Sequence, residues 1–279
     1  MTGPLEGLRV LVPRPASGSA DAEAALRVAG AEPVVVPLVR TEAVDDPTVL
    51  DAALADLRAG RYAWLAVTSA AAVGALVGRA LESAEALGDV VGRTKVAAVG
   101  PATARALATV GVTADLVGTS GARALADAWP TPDVAGARVL FPRGDLAGPE
   151  LADGRRAGGW AVDDVVAYRT VPAGPAPDDV VDAWRDGSIS AALLTSPSTV
   201  RALAARLGPP PSGTLLACIG PTTADAARDA DLPVAVVAPE RTMTALVGAL
   251  ADAVAAAHGD APPAPAAPDA ADLDPKETR

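Results

Sequence analysis

Short apolar runs alternate along the chain with longer stretches in which alanine and leucine recur at helical spacing. The apolar runs show no regular alternation with polar residues, which is typical of strands buried on both faces of a parallel sheet. Strands are predicted at 8–12, 33–36, 65–67, 96–99, 114–117, 138–141, 161–167, 191–194, 215–219 and 234–237. Helices are predicted at 20–29, 70–82, 102–110, 198–207, 222–230 and 242–257. The pattern therefore predicts an α/β protein built from βαβ units.

Two segments interrupt the alternation. Residues 36–41 and 166–170 have an extended pattern, and both end in Arg-Thr, as Arg40-Thr41 and Arg169-Thr170. Residues 257–279 are rich in Ala, Pro and Asp and contain almost no large apolar side chain. That composition predicts a disordered tail.

Several motifs occur twice in the same order. Val10-Leu-Val-Pro-Arg14 returns as Val139-Leu-Phe-Pro-Arg143, with a separation of 129 residues that also relates Arg40 to Arg169. Val67-Thr-Ser69 returns as Leu194-Thr-Ser196, and Gly100-Pro101 returns as Gly220-Pro221. A repeat of this length indicates two similar domains rather than a solenoid. It also suggests a ligand held between two like surfaces.

Size and composition exclude several functions. A chain of 279 residues with 50% apolar residues suits two domains, and no apolar run reaches the roughly 18 residues of a membrane span. The N-terminal sequence lacks the order of a signal peptide, so a cytoplasmic protein without a membrane partner is expected. The net charge of −11 argues against nucleic acid. The single cysteine and single histidine argue against a metal site and against Ser-His-Asp catalysis.

The repeated motifs lie where a strand gives way to a helix. In a parallel sheet these turns share the edge at which ligands bind, and helix N-termini there attract anions. The motifs supply the candidate binding residues Thr68, Ser69, Gly100, Pro101, Thr103, Ser196, Pro197, Ser198, Gly220, Thr222 and Thr223. The alternative is that the hydroxyls only cap helices and that Gly-Pro only forms turns.

Arg14, Arg143, Gly144 and Tyr168 are further candidates. Arg14 and Arg143, the latter followed by Gly144, end the first strand of each repeat, so both guanidinium groups could reach a cleft; exposure to solvent is the alternative. Tyr168 lies in the second interrupting segment, where a phenol could donate a proton or only pack. Cys218 lies in an apolar strand and is predicted to be a buried small hydrophobic residue.

The ordered set of motifs resembles the uroporphyrinogen-III synthase family over residues 8 to 256. The resembling residues are 12–15, 67–69, 99–103, 165–170, 194–198 and 219–224. The resemblance implies two flavodoxin-like α/β domains with parallel sheets, joined by a two-stranded linker, the first domain being discontinuous. It places the first domain at 1–38 plus 172–256, the second at 43–167, and the linker strands at 39–42 and 168–171.

The resemblance also implies a reaction. The linear tetrapyrrole hydroxymethylbilane loses water and closes to uroporphyrinogen III, with ring D inverted through a spiro intermediate and without a cofactor or metal. Tyr168 matches the linker tyrosine of the family, which assists departure of the hydroxyl but is not essential. A phenol keeps its proton at neutral pH and can donate it. A monomer that receives its substrate from the preceding pathway enzyme is expected.

The substrate carries eight carboxylates, whereas the chain carries a net negative charge. A locally positive or neutral cleft on an acidic body is therefore predicted, because a strongly negative cleft would repel the ligand. A non-catalytic two-domain protein that binds a small anion is the alternative function. A family member reused in transcriptional regulation would need a DNA-binding domain, and the sequence after residue 259 offers none.

Overall fold

The computed structural model describes residues 3–15, 18–119 and 122–259. In this part of the chain, two sheets account for all the assigned strands. The strands are β1 (Arg9–Val12), β2 (Glu32–Val35), β3 (Val39–Ala43), β4 (Trp64–Val67), β5 (Lys95–Ala98), β6 (Leu116–Val117), β7 (Arg138–Gly144), β8 (Ala161–Pro172), β9 (Ala191–Leu194), β10 (Leu215–Cys218) and β11 (Val234–Val237). The helices are α1 (Ala20–Val28), α2 (Thr48–Arg58), α3 (Ala70–Glu82), α4 (Leu87–Val91), α5 (Pro101–Ala108), α6 (Ala122–Ala128), α7 (Glu150–Ala157), α8 (Asp178–Arg185), α9 (Pro197–Arg206), α10 (Pro221–Asp229) and α11 (Met243–Gly259).

The first domain is built on a five-stranded parallel sheet in the order β2-β1-β9-β10-β11. Its first two strands come from the N-terminal part of the chain and its last three from residues beyond 190. The discontinuous first domain predicted from the sequence is therefore confirmed. Numbered within the domain, the strand order is 2-1-3-4-5, which is the flavodoxin-like order.

The second domain has the parallel strand order β8-β7-β4-β5-β6, and β3 adds to its edge in an antiparallel direction. The repeat makes β7 the equivalent of β1 and β4 the equivalent of β9, so the order matches that of the first domain. The chain, however, enters this sheet at its third strand. Each domain therefore combines strands from both copies of the repeat.

Apolar strands with helices on both faces form the cores. β4 and β9 are buried along their whole length. In the first domain one cluster includes Leu11 and Trp184, and a second includes Val10 and Leu26, on the opposite side of the same strand β1. Burial on both faces explains why alternation between polar and apolar residues was absent from the sequence.

The predicted strands and helices are found close to their predicted limits, and five helices were missed: α2, α4, α6, α7 and α8. The signal for α2 was present, since Leu50, Leu54 and Leu57 recur at helical spacing and are all buried. The predicted tail begins too early, because α11 continues to Gly259 with no helix-breaking residue after Val254. The rest of that prediction, residues 260–279, lies outside the described residues.

The two segments with the Arg-Thr motif pair with each other. β3 runs antiparallel to the end of β8, with Ala43 opposite Tyr168 and Val39 opposite Pro172. β8 was predicted to end at residue 167, but it continues without a break from the second domain into this pair. We propose that residues 39–42 and 168–171 are the linker and that the domain limits follow from them.

Within the described ranges, no helix is long and apolar enough to cross a membrane. The same residues contain no group of three or more His, Cys, Asp or Glu side chains that could hold a metal ion.

Candidate functional site

A cleft of 1510 Å³ separates the two domains and has the paired linker strands β3 and β8 along one side. The first domain contributes residues along α1 and from the starts of α9 and α11, and the second contributes residues along α3 and from the first half of α5. These helices follow the carboxyl ends of parallel strands, which is where ligands bind in open α/β sheets. Both sheets therefore present their ligand-binding edge to the same cleft.

Tyr168 lines this cleft from the linker and is held by the second domain. Its hydroxyl lies 2.9 Å from Ser69 Oγ. Ser69 is the N-cap of α3, and its Oγ accepts a hydrogen bond of 3.0 Å from the Ala72 amide. The serine oxygen thus accepts from the helix and can donate its own proton to the tyrosine oxygen, which leaves the phenol proton available to the cleft.

Gly144 makes room for this tyrosine. A Cβ at residue 144 would lie 2.8 Å from Tyr168 Cζ and 3.0 Å from its hydroxyl oxygen, closer than real Cβ atoms approach. The pairing of β7 with β8 also shifts register here, so that Gly144 is opposite Tyr168. Gly144 was predicted to bind substrate, and the structure instead places it against the Tyr168 ring, outside the residues that line the cleft.

The start of α9 is a hydroxyl-rich part of the first-domain wall. Ser196 is the N-cap and forms a reciprocal capping box with Thr199, at 3.3 Å and 3.1 Å. Ser196 Oγ also lies 2.9 Å from Ser198 Oγ. Ser196 and Ser198 both line the cleft, whereas Pro197, the first residue of the helix, does not. These hydroxyls therefore cap the helix and border the cleft at once.

The two equivalent arginines differ. Arg14 lines the cleft and forms no ion pair with any described residue, and burial lowers its pKa while the charge of Asp21 acts in the opposite direction. Arg143 does not line the cleft: it forms an ion pair with Asp164 and donates a hydrogen bond of 3.0 Å to the Gly144 carbonyl. The sequence predicted the same role for both, and the structure brings only Arg14 to the cleft.

The Gly-Pro motifs contribute less than the sequence suggested. Gly100 and Gly220 are N-caps in extended backbone, and Pro101 alone of the four motif residues lines the cleft. Thr103 and Thr223 are buried, since the first turns of α5 and α10 direct them into the domain cores. Thr68 and Thr222 also lie outside the lining residues.

Several charged residues of the cleft were missed by sequence reasoning. Arg105, Arg241, Arg40 and Arg79 line it together with Arg14, and so do the carboxylates of Asp21, Glu42 and Glu82. Arg241 follows the last strand of its sheet as Arg14 follows the first, which is the signal that could have found it. The described lining residues thus carry two more positive than negative charges, in the direction of the predicted positive or neutral cleft on an acidic body.

The second-domain wall is lined by small side chains. Ala71, Gly74, Ala75 and Gly78 recur along one face of α3 and all border the cleft. Side chains this short leave open space above this face of the helix, since a Cβ at Gly74 or Gly78 would meet no atom within 4 Å. That space leaves room for the rings of a large ligand. The arrangement can therefore bind a ligand that is both polyanionic and large, and it offers one phenol for proton transfer.

The fold and the cleft define a two-domain α/β protein with an arginine-lined cleft between its domains. A family model described as uroporphyrinogen-III synthase HemD matches residues 20–248. The chain therefore belongs to the uroporphyrinogen-III synthase family, whose members are lyases of tetrapyrrole biosynthesis. Membership in a family of enzymes disfavours the alternative of a non-catalytic binding protein.

Individual relatives agree with this assignment. The chain is 33% identical over 257 residues to uroporphyrinogen-III synthase of Synechococcus elongatus, a match that covers 88% of this chain and 96% of that protein. It is 29% identical over 252 residues to the porphyrin biosynthesis protein HemD of Ruminiclostridium josui, covering 90% of this chain and 49% of that longer protein.

Solved structures share the fold. A uroporphyrinogen-III synthetase structure from Helicobacter pylori matches with a TM-score of 0.58 at 15% identity, covering 86% of this chain and 97% of that one. A mutant uroporphyrinogen III synthase structure from Thermus thermophilus matches with a TM-score of 0.57 at 20% identity, covering 89% and 99%. These matches support the two-domain α/β architecture.

Proposed function

We propose that the cleft binds hydroxymethylbilane and closes it to uroporphyrinogen III, with inversion of ring D through a spiro intermediate. The observation that carries the proposal is the joint presence, in one cleft, of surplus arginines and the hydrogen-bonded Tyr168 hydroxyl. Arginine and helix N-termini suit the eight carboxylates of this substrate. The volume of 1510 Å³ exceeds that of an ordinary small-molecule pocket, as a tetrapyrrole requires.

In the first step the phenol of Tyr168 donates its proton to the terminal hydroxyl of the bilane, which leaves as water. The departing group leaves a cationic azafulvene on ring A. Ser69 assists by donating a hydrogen bond to the phenol oxygen, which directs the tyrosine proton towards the cleft. This is general acid catalysis by a positioned side chain.

In the second step the substituted carbon of ring D attacks the azafulvene carbon and forms a spiro centre. The bond between ring D and the methylene of ring C then breaks, and the freed methylene bonds to the other α-carbon of ring D. Loss of a ring proton restores the aromatic pyrrole and returns a proton to tyrosine, so the net change is one water lost. Because the unassisted bilane closes without inversion, the main task of the cleft is to hold ring D in place.

We include in the proposal that the chain works as a monomer in the cytoplasm and receives the bilane from the enzyme that makes it. The reactivity of the free bilane supports direct transfer, because delay in water gives the uninverted product. Light scattering of the purified protein, alone and mixed with the preceding enzyme, tests both the monomer and the transfer complex.

The function is tested by adding freshly generated hydroxymethylbilane to the purified protein, oxidising the products and separating the uroporphyrin isomers. The expected product is isomer III, above a background of isomer I from spontaneous closure. Isomer I alone would refute the proposal. The Tyr168→Phe variant tests the phenol separately, and we expect a fall in kcat of about 10². Unchanged turnover would remove Tyr168 from the mechanism and leave the binding role of the cleft intact.

A further inference from the structure

One ion pair joins the two walls of the cleft. Among the described residues, Arg105 Nη2 of the second domain and Asp21 Oδ2 of the first lie 3.2 Å apart, and the other ion pairs join residues within one domain or within the linker region. Asp21 lies in the first turn of α1, and Arg105 lies in α5. Both residues line the cleft.

Arg14 belongs to the same group of charges. A Cβ placed on Gly18 would lie 3.5 Å from Arg14 Nη2, so the Arg14 guanidinium lies over the turn that leads into α1. Asp21 is in the first turn of that helix, and its charge acts on Arg14. The Asp21 carboxylate is therefore paired with Arg105 of the opposite wall, and its charge also acts on Arg14 without a direct ion pair.

The Asp21–Arg105 pair is exposed, with 72% and 65% of the two side chains accessible. Exposed ion pairs contribute little to stability and exchange partners readily. Such a contact holds two domains together only weakly. It is, however, a good place for an incoming carboxylate, because Arg105 already holds a carboxylate there and the Arg14 guanidinium, which has no ion-pair partner among the described residues, lies near the start of the same helix.

We infer that Arg14 and Arg105 form one substrate-carboxylate subsite across the cleft, and that Asp21 occupies it until the substrate displaces it. The inference rests on the proposed function and adds to it one binding position and one competitor. Displacement exchanges one carboxylate for another at Arg105, and it gives Arg14 a partner that it lacks among the described residues. Asp21 also tunes affinity, since it must be expelled before that carboxylate binds.

Asp21→Asn distinguishes a substrate subsite from an ion pair that only holds the two domains together, because the two models predict opposite changes in KM. If Asp21 competes with substrate, Asp21→Asn removes the competitor and lowers KM by about threefold, while Arg105→Ala raises KM by about fivefold or more. If the pair only holds the domains together, both variants lose the same contact and shift KM in the same direction. In the double variant the benefit of Asp21→Asn should shrink, because only Arg14 is left to gain from it.

The experiment measures KM and kcat for bilane closure, together with equilibrium binding of uroporphyrin III, a stable octacarboxylate, by fluorescence. Asp225→Asn and Arg228→Ala are matched controls, because Asp225 and Arg228 form an exposed pair of 2.7 Å outside the cleft and change the net charge equally. Both controls should leave KM and porphyrin binding within about 1.5-fold.

Tighter porphyrin binding by Asp21→Asn, with weaker binding by Arg105→Ala and by Arg14→Ala, would support the subsite. Weaker or unchanged binding by Asp21→Asn would overturn it. A failure of the proposed function is distinguishable, because wild-type protein would then yield isomer I alone while the porphyrin-binding comparison would still report on the three residues.

Discussion

The carboxyl ends of β1 and β7 are equivalent places in the two domains, and they do different work. After β1, Arg14 faces the cleft and Pro15 follows it in the cleft wall. At the end of β7, Arg143 is held by Asp164, and Gly144 lies against the ring of Tyr168. One copy of the Pro-Arg motif thus presents a charge to a ligand, and the other supports the side chain proposed to donate a proton.

The starts of α3 and α9 repeat the difference. Ser69 and Ser196 cap their helices in the same way, but Ser69 also binds the Tyr168 hydroxyl, whereas Ser196 binds Ser198. At the spacing of 129 residues the counterpart of Tyr168 is Val39, which carries no proton to donate. The duplication therefore produced a similar cleft edge in each domain, but only the second domain positions the phenol.

The largest expected effects come from replacing Arg143 and Arg14 in turn by alanine. Arg143→Ala leaves Asp164, whose side chain is 15% exposed, without its partner, and should lower the free energy of unfolding by about 3 kcal/mol. Arg14→Ala removes a guanidinium that no described carboxylate pairs with, and should instead lower kcat/KM about 30-fold by losing a charged contact worth about 2 kcal/mol. Urea denaturation and steady-state kinetics of both variants check this. Equal effects of the two substitutions on stability would erase the distinction.

The position after each arginine gives the next largest effect. Gly144→Ala places a Cβ where the Tyr168 ring lies, so the ring must move away from Ser69. We expect kcat to fall about tenfold with little change in KM, since a displaced catalytic group costs transition-state contacts rather than ground-state binding. Gly154→Ala, in α7 with open space around the new methyl group, is the control. An unchanged kcat for Gly144→Ala would show that the phenol position is not critical.

The two N-cap serines, Ser69 and Ser196, are expected to contribute equally to stability but differently to catalysis. Ser69→Ala and Ser196→Ala each remove one N-cap hydrogen bond and should each cost about 1 kcal/mol of stability. Only Ser69→Ala also removes the partner of the Tyr168 hydroxyl, so kcat should fall about fivefold more than in Ser196→Ala, where KM should rise instead. Thermal denaturation and kinetics measured on the same preparations test this pairing. Identical kinetic profiles would mean that both serines act only as caps.

The smallest expected effect concerns Cys218, whose counterpart in the first copy of the repeat is Ala98. Burial raises the pKa of the Cys218 thiol to about 11, with Arg228 acting weakly in the opposite direction. An unfolded thiol titrates near about 8.5, so the unfolded chain loses its proton first and stability declines as the pH rises from there towards the folded pKa. Cys218→Ala should remove this decline, which we expect to be roughly 3 °C in Tm. Tm should be measured as a function of pH for the wild type and for Cys218→Ala. An equal decline of Tm with pH in both proteins would contradict the prediction.

Particular residues show how far sequence reasoning reached. The Ser69 and Ser196 caps and the buried Cys218 followed from local pattern, because helix starts and buried strands have strong local signals. The pairing of the two Arg-Thr segments was expected only from the family resemblance. The α2 helix was missed although Leu50, Leu54 and Leu57 recur at helical spacing, since that pattern covers only about two turns. Asp21 and Arg105 gave no signal, because nothing local distinguishes a charged residue that lines a cleft from one that is exposed to solvent.

The sequence by itself determined that the chain is an α/β protein with a duplicated motif at the ligand-binding edge of each sheet. Hydrophobic periodicity and turn residues act over a few neighbouring positions, so they can be recognised from the amino-acid sequence alone. The tertiary structure decided which copy of each motif meets the ligand. It exchanged strands between the repeats, paired Arg143 with Asp164, buried Thr103 and Thr223, and brought Asp21 and Arg105 together across 84 residues of sequence. Those outcomes depend on packing between distant segments, which no local pattern encodes.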